Sequence, residues 1–172
     1  MIARSLRIPA LLALAFISLP GCQSPTGGHP TPAGHTESRP DRAASATRNL
    51  SVDEAAGGHV LRKHVGRSDE DLRARLEREP NISGASTYED RVTAERVIGA
   101  AIAQNQDRIH RWLDHSGGHA NLVLDYDAGG PIGRTLNRGD NQSRPCSHAV
   151  VVLRYDPPAS FHVLTSYPEC RS

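Results

Sequence analysis

The chain has 172 residues, with 20 Lys plus Arg against 19 Asp plus Glu, and its formal charge is +1 at neutral pH. That length holds one ordinary domain with sequence to spare. The near-balance of charge argues against strong sequence-independent attraction to nucleic acid, which needs many cations facing phosphate.

The N-terminus carries Arg4 and Arg7, then an apolar run from Ile8 to Leu19 broken only by Pro9 and Ser18, then Pro20-Gly21-Cys22. This is the layout of a secretory signal. The run falls short of the roughly 20 residues that a permanent membrane helix needs, so cleavage is expected. Residues 1–21 are read as a lipoprotein signal peptide and Cys22 as its lipidation site, because Leu19-Pro20-Gly21-Cys22 resembles a bacterial lipobox, although Pro20 is unusual there. An ordinary signal peptide cleaved nearby, leaving Cys22 as a spare thiol, is the alternative. Lipidation predicts a protein anchored to the membrane of the bacterial cell envelope; the alternative predicts a secreted one.

Residues 22–48 are rich in Pro, Gly, Ser, Thr and Ala and nearly free of large apolar side chains. Such a segment cannot bury enough surface to offset the entropy of ordering, and it is read as a tether. His29 and His35 within it suggest no metal site. Residues 49–172 form the domain, with 15 Lys plus Arg against 17 Asp plus Glu. Any RNA chemistry must therefore use a local site.

Within the domain, Ser68-Asp69-Glu70-Asp71 opens a helix over 68–79 as a capping box, with Leu72 and Leu76 on one face. After Pro80 and Gly84, Ser86-Thr87-Tyr88-Glu89 is read as a second capping box leading into a long helix through Val92, Val97, Ile98 and Ile102. Asp107 to Asp114 places Ile109, Trp112 and Leu113 at helical spacing, with Trp112 in the core. The period then changes, and 122–126, 132–136, 149–155 and 161–167 read as strands. Helices first and strands later predict an α+β fold, N-terminal helices packed on a C-terminal antiparallel sheet.

The last two strands make a hairpin in which Tyr155 faces Phe161 and paired numbers sum to 316. The same sum sets Cys146 opposite Cys170, although neither cysteine was used to choose the register. In an oxidising compartment this pair reads as a disulfide. The register also puts His148 and His162 on one strand face and Thr165 and Tyr167 on the other.

Gly57-Gly58-His59-Val60-Leu61-Arg62-Lys63-His64-Val65-Gly66 gathers two histidines and two cations, a weak catalytic signal by itself. Taken with SDEDLRARL, STYEDRVTAERVI, GGPIGRTLNRG, HAVVVLRY and FHVLTSYP in this order, it resembles the bacterial ribonuclease-A-like toxin domain of contact-dependent growth inhibition proteins, over residues 54–168. The resemblance implies a ribonuclease-A-like fold and a site built from His64, Arg75, Thr165 and Tyr167, with His59 as an accessory candidate. It implies an endoribonuclease that needs neither metal nor cofactor: attack of a 2′-hydroxyl on its own phosphate requires a proton acceptor, a proton donor and charge stabilisation. Histidine supplies the first two near neutral pH. Arginine presents a charged fork to phosphate oxygens. Which residue is acid and which is base stays open, with His148 and His162 as further candidates for a second histidine.

The implied partners are an RNA substrate, tRNA or single-stranded, and a cognate immunity protein, while the N-terminal lipid would contact the membrane. The domain here follows a signal and a short tether instead of ending a very large effector, which leaves delivery open. The competing reading is a catalytically inactive envelope lipoprotein that binds nucleotide, RNA or protein. An immunity-type lipoprotein would explain the anchor but not the resemblance.

Overall fold

The computed structural model describes residues 46–171. The signal segment, Cys22 and most of the tether lie outside the described residues. Residues 46–48 are held on the domain: Arg48 donates its backbone N–H to Glu95 O at 3.0 Å, and its guanidinium makes two hydrogen bonds to the buried carboxylate of Asp53.

Three short helices come first. Asn49 accepts from the Ser51 N–H and opens α1, Leu50–Ala55. Helix α2, Val60–His64, follows Gly57-Gly58. Helix α3, Asp69–Arg78, starts at the predicted capping box, in which Ser68 and Asp71 bond each other's backbone. Helices α1 and α2 carry no amphipathic stripe long enough to read, and the sequence reading did not place them.

Ser86-Thr87-Tyr88-Glu89 is not a capping box. Residues Gly84–Tyr88 form strand β1, and the following helix α4, Arg91–Gln104, is capped by Asp90, whose carboxylate accepts from the Thr93 N–H at 2.7 Å. Tertiary pairing decides this, since β1 joins β3 residue for residue and Ala85, Ser86, Thr87 and Tyr88 are all buried. Helix α5 is Gln106–Leu113, and Trp112 only partly enters the core, donating to Ala120 O at the rim. The strands are β2, Leu122–Asp127; β3, Gly133–Asn137; β4, Arg144–Cys146; β5, His148–Asp156; and β6, Ser160–Glu169.

The strands make two antiparallel sheets of three, β1-β3-β4 and β2-β5-β6, where one sheet was expected. Helix α4 lays Ala94, Val97, Ile98 and Ala101 against Leu124, Val151 and Leu153 to form the main core. Leu72 and Leu76 of α3 cover Ala85 and Leu136 in a second cluster. Tyr88 ties the sheets together: its hydroxyl lies 2.6 Å from Ser166 Oγ, which donates to Val150 O.

The β5–β6 hairpin keeps the predicted register from Asp156 and Ser160 to Leu153 and Val163. There the pairing slips by one, Val152 faces Thr165, and Leu164 is the extra residue of a bulge. A one-residue slip reverses face parity. His148 and His162 therefore share the face of Thr165 and Tyr167, contrary to the unbroken register. The bulge does not separate the cysteines, and Cys146 and Cys170 are disulfide-bonded with Cα atoms 4.5 Å apart.

The bulged edge of β6 is where α1 and α2 dock. Asp53 accepts from the Val163 N–H at 2.8 Å, and the His59 N–H donates to Leu164 O at 3.0 Å. A Cβ on Gly58 would lie 2.4 Å from Val163 O and 2.8 Å from Asp53 O, both backbone atoms. The glycine before His59 thus lets two main chains touch. Gly58→Ala is expected to cost about 1–3 kcal/mol, as overpacking does, measured by urea unfolding; a neutral effect would contradict this clamp.

Candidate active site

A cleft of about 510 Å³ opens between β6 and the β1–β3 sheet, and it is lined by His59, His64, Arg75, Thr165 and Tyr167 among others. The four residues that the sequence motifs single out therefore meet, although they come from α2, α3 and the last strand.

His64 is delivered by a chain of local constraints. The Gly58 contact fixes the start of α2, and His64 is its last residue. Val65 then bridges Tyr88 in parallel, and Gly66, at φ +62°, turns so that its N–H reaches Tyr88 O. These contacts seat His64 on the open edge of β1, 5 % exposed, with Nδ1 3.0 Å from Ser86 O. A carbonyl can only accept, so Nδ1 carries the proton and the lone pair of the neutral ring is on Nε2. Ser86 is thus a site residue through its backbone, and no side-chain signal in the sequence could have identified it.

Arg75 comes from the second turn of α3, with its Nη1 3.5 Å from both ring nitrogens of His64. Its Nε is buried without a hydrogen-bond partner and lies 3.4 Å from a Glu79 carboxylate oxygen. The Tyr167 ring centroid is 5.7 Å from that of His64, and the His59 centroid is 6.3 Å away. Thr165 Oγ1 is buried and has no hydrogen-bond partner. Native folds satisfy nearly all buried polar atoms, so the buried Thr165 hydroxyl left open in this cleft, beside the Arg75 cation, marks a place for a ligand with acceptor oxygens.

Burial, and then the Arg75 cation, hold the His64 pKa down at about 3. Burial with Lys63 and Arg62 lowers that of His59. Burial, helped by Glu169 and Asp125, raises the Tyr167 hydroxyl, which stays protonated at neutral pH. The free site therefore holds a neutral acceptor, a fixed cation and a protonated phenol.

The depressed His64 pKa has a consequence for stability. Unfolded His64 takes a proton near pH 6.5 and folded His64 only near 3, so the unfolded state binds more protons in between. Its contribution is complete above 6.5 and is lost as the pH falls towards 3, at up to about 1.4 kcal/mol per pH unit. The difference in unfolding free energy between wild type and His64→Gln should change with pH over that window. A constant difference would contradict the buried neutral ring.

His148 and His162 share the face of Tyr167 but stay outside the cleft. His162 is 2.8 Å from Asp156, and His148 is 3.5 Å from Asp127. Among the described residues, no group of three or more His, Cys, Asp or Glu is placed to hold a metal ion.

Helices on antiparallel sheets, with His, Arg, Thr and Tyr drawn into one cleft, are the ribonuclease-A-like α+β arrangement. The model of the bacterial CdiA-CT RNAse A domain matches residues 58–168, and the chain belongs to this family. Among solved structures, the chain is similar to one in the crystal structure of a CdiA-CT/CdiI complex from Y. kristensenii 33638, with 33 % identity and a TM-score of 0.59. The similarity covers 65 % of this chain and 99 % of that one. No curated protein matches the chain.

Proposed function

We propose that the protein is a metal-independent endoribonuclease that cleaves RNA by attack of a 2′-hydroxyl on the adjacent phosphate. The observation that carries this reading is the buried neutral His64, whose Nε2 keeps its lone pair because Nδ1 faces the Ser86 carbonyl, beside Arg75 and the unpartnered Thr165 hydroxyl.

Burial is the larger cause of the low His64 pKa, but a phosphodiester seated on Arg75 and Thr165 would offset the second, the Arg75 cation, and so raise its basicity. The 2′-hydroxyl proton then passes to Nε2 as the oxygen bonds to phosphorus. The bond from phosphorus to the 5′-oxygen breaks, and the Tyr167 hydroxyl gives that oxygen a proton, while Arg75 stabilises the charge gathering on the non-bridging oxygens. The products are a 2′,3′-cyclic phosphate and a 5′-hydroxyl. His59 borders the same space as an accessory group.

Total tRNA incubated with oxidised protein in excess chelator should be cut. Tyr167→Phe should slow cleavage about 10²-fold or more, the scale of a lost proton donor. Folded protein that binds RNA without cutting it would instead support an inactive binding module.

We propose further that a cognate immunity protein pairs with this domain, as CdiI does with the similar chain. We also propose that lipid on Cys22 holds it at the cell envelope. The Cys146–Cys170 disulfide suits that oxidising compartment.

A further inference from the structure

Beyond the scissile site, the cleft continues over the sheet formed by β1, β3 and β4. Ser86 pairs with Thr135, and Thr135 pairs with Arg144, so these three form one row across the strands. Paired residues point to the same face, and all three line the cleft. Two strand spacings separate Arg144 from Ser86, about 10 Å, and Ser86 is the residue whose carbonyl holds His64.

Thr135 stands between these points, and beside it the floor lacks a side chain at Gly84. Gly84, two residues before Ser86, has no side chain, and a Cβ there would come within 3.2 Å of Asn137 Oδ1 and 3.4 Å of Thr135 Cγ2. Asn137 Nδ2 donates to Asp140, which leaves Oδ1 towards the cleft side of Gly84. Arg144 is exposed, and its guanidinium makes no hydrogen bond or ion pair among the described residues. The other cation of the cleft, Arg75, is engaged at His64 and Glu79. The Arg144 backbone is firmly placed, because the strand end at Cys146 is bonded to Cys170, three residues beyond Tyr167.

We infer that Arg144 is a second phosphate-binding subsite, taking the phosphate next to the scissile one in an oligonucleotide that lies across Thr135 and the side of the floor left low by Gly84. This rests on the ribonuclease reading for its choice of scissile site, but the binding it predicts does not require cleavage. The enzyme would thereby favour substrates with at least two phosphodiesters over a dinucleotide.

The test uses non-cleavable 2′-deoxy oligonucleotides with one and with two internal phosphates, titrated into the full-length oxidised protein at several salt concentrations. The two-phosphate ligand should bind wild type about tenfold more tightly than the one-phosphate ligand, as a charge-assisted contact at the surface would give. Arg144→Gln should abolish most of that gain and flatten the salt dependence of the two-phosphate ligand by about one phosphate contact. Arg91→Gln, which removes a cation paired with Glu95 on α4 outside the cleft, should keep the gain. Equal affinity for the two ligands, no binding by wild type, or a gain that survives Arg144→Gln would overturn the subsite. Binding as predicted without RNA cleavage would leave the subsite standing and remove the nuclease.

Discussion

Replacing His64 by alanine is expected to lower RNA cleavage by about 10²–10⁴-fold, the scale of a lost general base, while the protein still folds. His64 is held by one hydrogen bond to Ser86 O and by packing beside Arg75 and Tyr167, not by the main core. The pH profile should carry the signature of its environment. Wild-type kcat/KM, which reports the free enzyme, should show no acidic limb near pH 6.5, because free His64 titrates only near 3. An acidic limb at the ordinary histidine position would identify another base, and cleavage that survives His64→Ala would remove this residue from the chemistry.

Removing the Cys146–Cys170 bridge, with serine at both positions, is expected to cost about 3 kcal/mol, the loop-entropy scale for a cross-link over some two dozen residues. The sequence separation is 24. Helix packing provides no substitute here, because β4 is a three-residue edge strand held on one side by β3 alone. Urea unfolding of the double variant, beside wild type with and without reductant, measures the effect. Loss of the bridge should also weaken oligonucleotide binding, since Arg144 begins the strand that the disulfide secures. A loss below about 1 kcal/mol would mean that the β3–β4 pairing suffices without the cross-link.

The four residues that the sequence motifs single out line one cleft, while the secondary structure around them departs from its local patterns. His64, Arg75, Thr165 and Tyr167 do converge, because the motif order reflects a tertiary assembly. Local patterns mislead where tertiary contacts override them. Ser86-Thr87-Tyr88-Glu89 has capping-box chemistry, yet its first three residues pair with Thr135, Arg134 and Gly133 in a buried strand. Likewise, nothing in FHVLTSYP announces the bulge at Leu164, because it answers to the docking of His59 and Asp53 from a hundred residues away. The cysteine pair was legible because the two cysteines flank the hairpin on either side, although the register that first paired them does not hold: past the bulge paired numbers sum to 317, and Cys146 belongs to β4 of the other sheet. Arg144 was not, since its place depends on β4, too short a strand to show a period.

In the proposed reaction the 2′-hydroxyl is the nucleophile and His64 its base. The most direct measurement incubates the protein, in excess chelator, with an RNA oligonucleotide and with the same oligonucleotide 2′-O-methylated at the cleaved nucleotide, followed by analysis of the product ends. The first should give 2′,3′-cyclic phosphate ends, the second no cleavage at the methylated nucleotide, and His64→Ala should lose the cyclic-phosphate product. Cleavage at the methylated nucleotide, or linear ends that appear only when metal is restored, would contradict that mechanism.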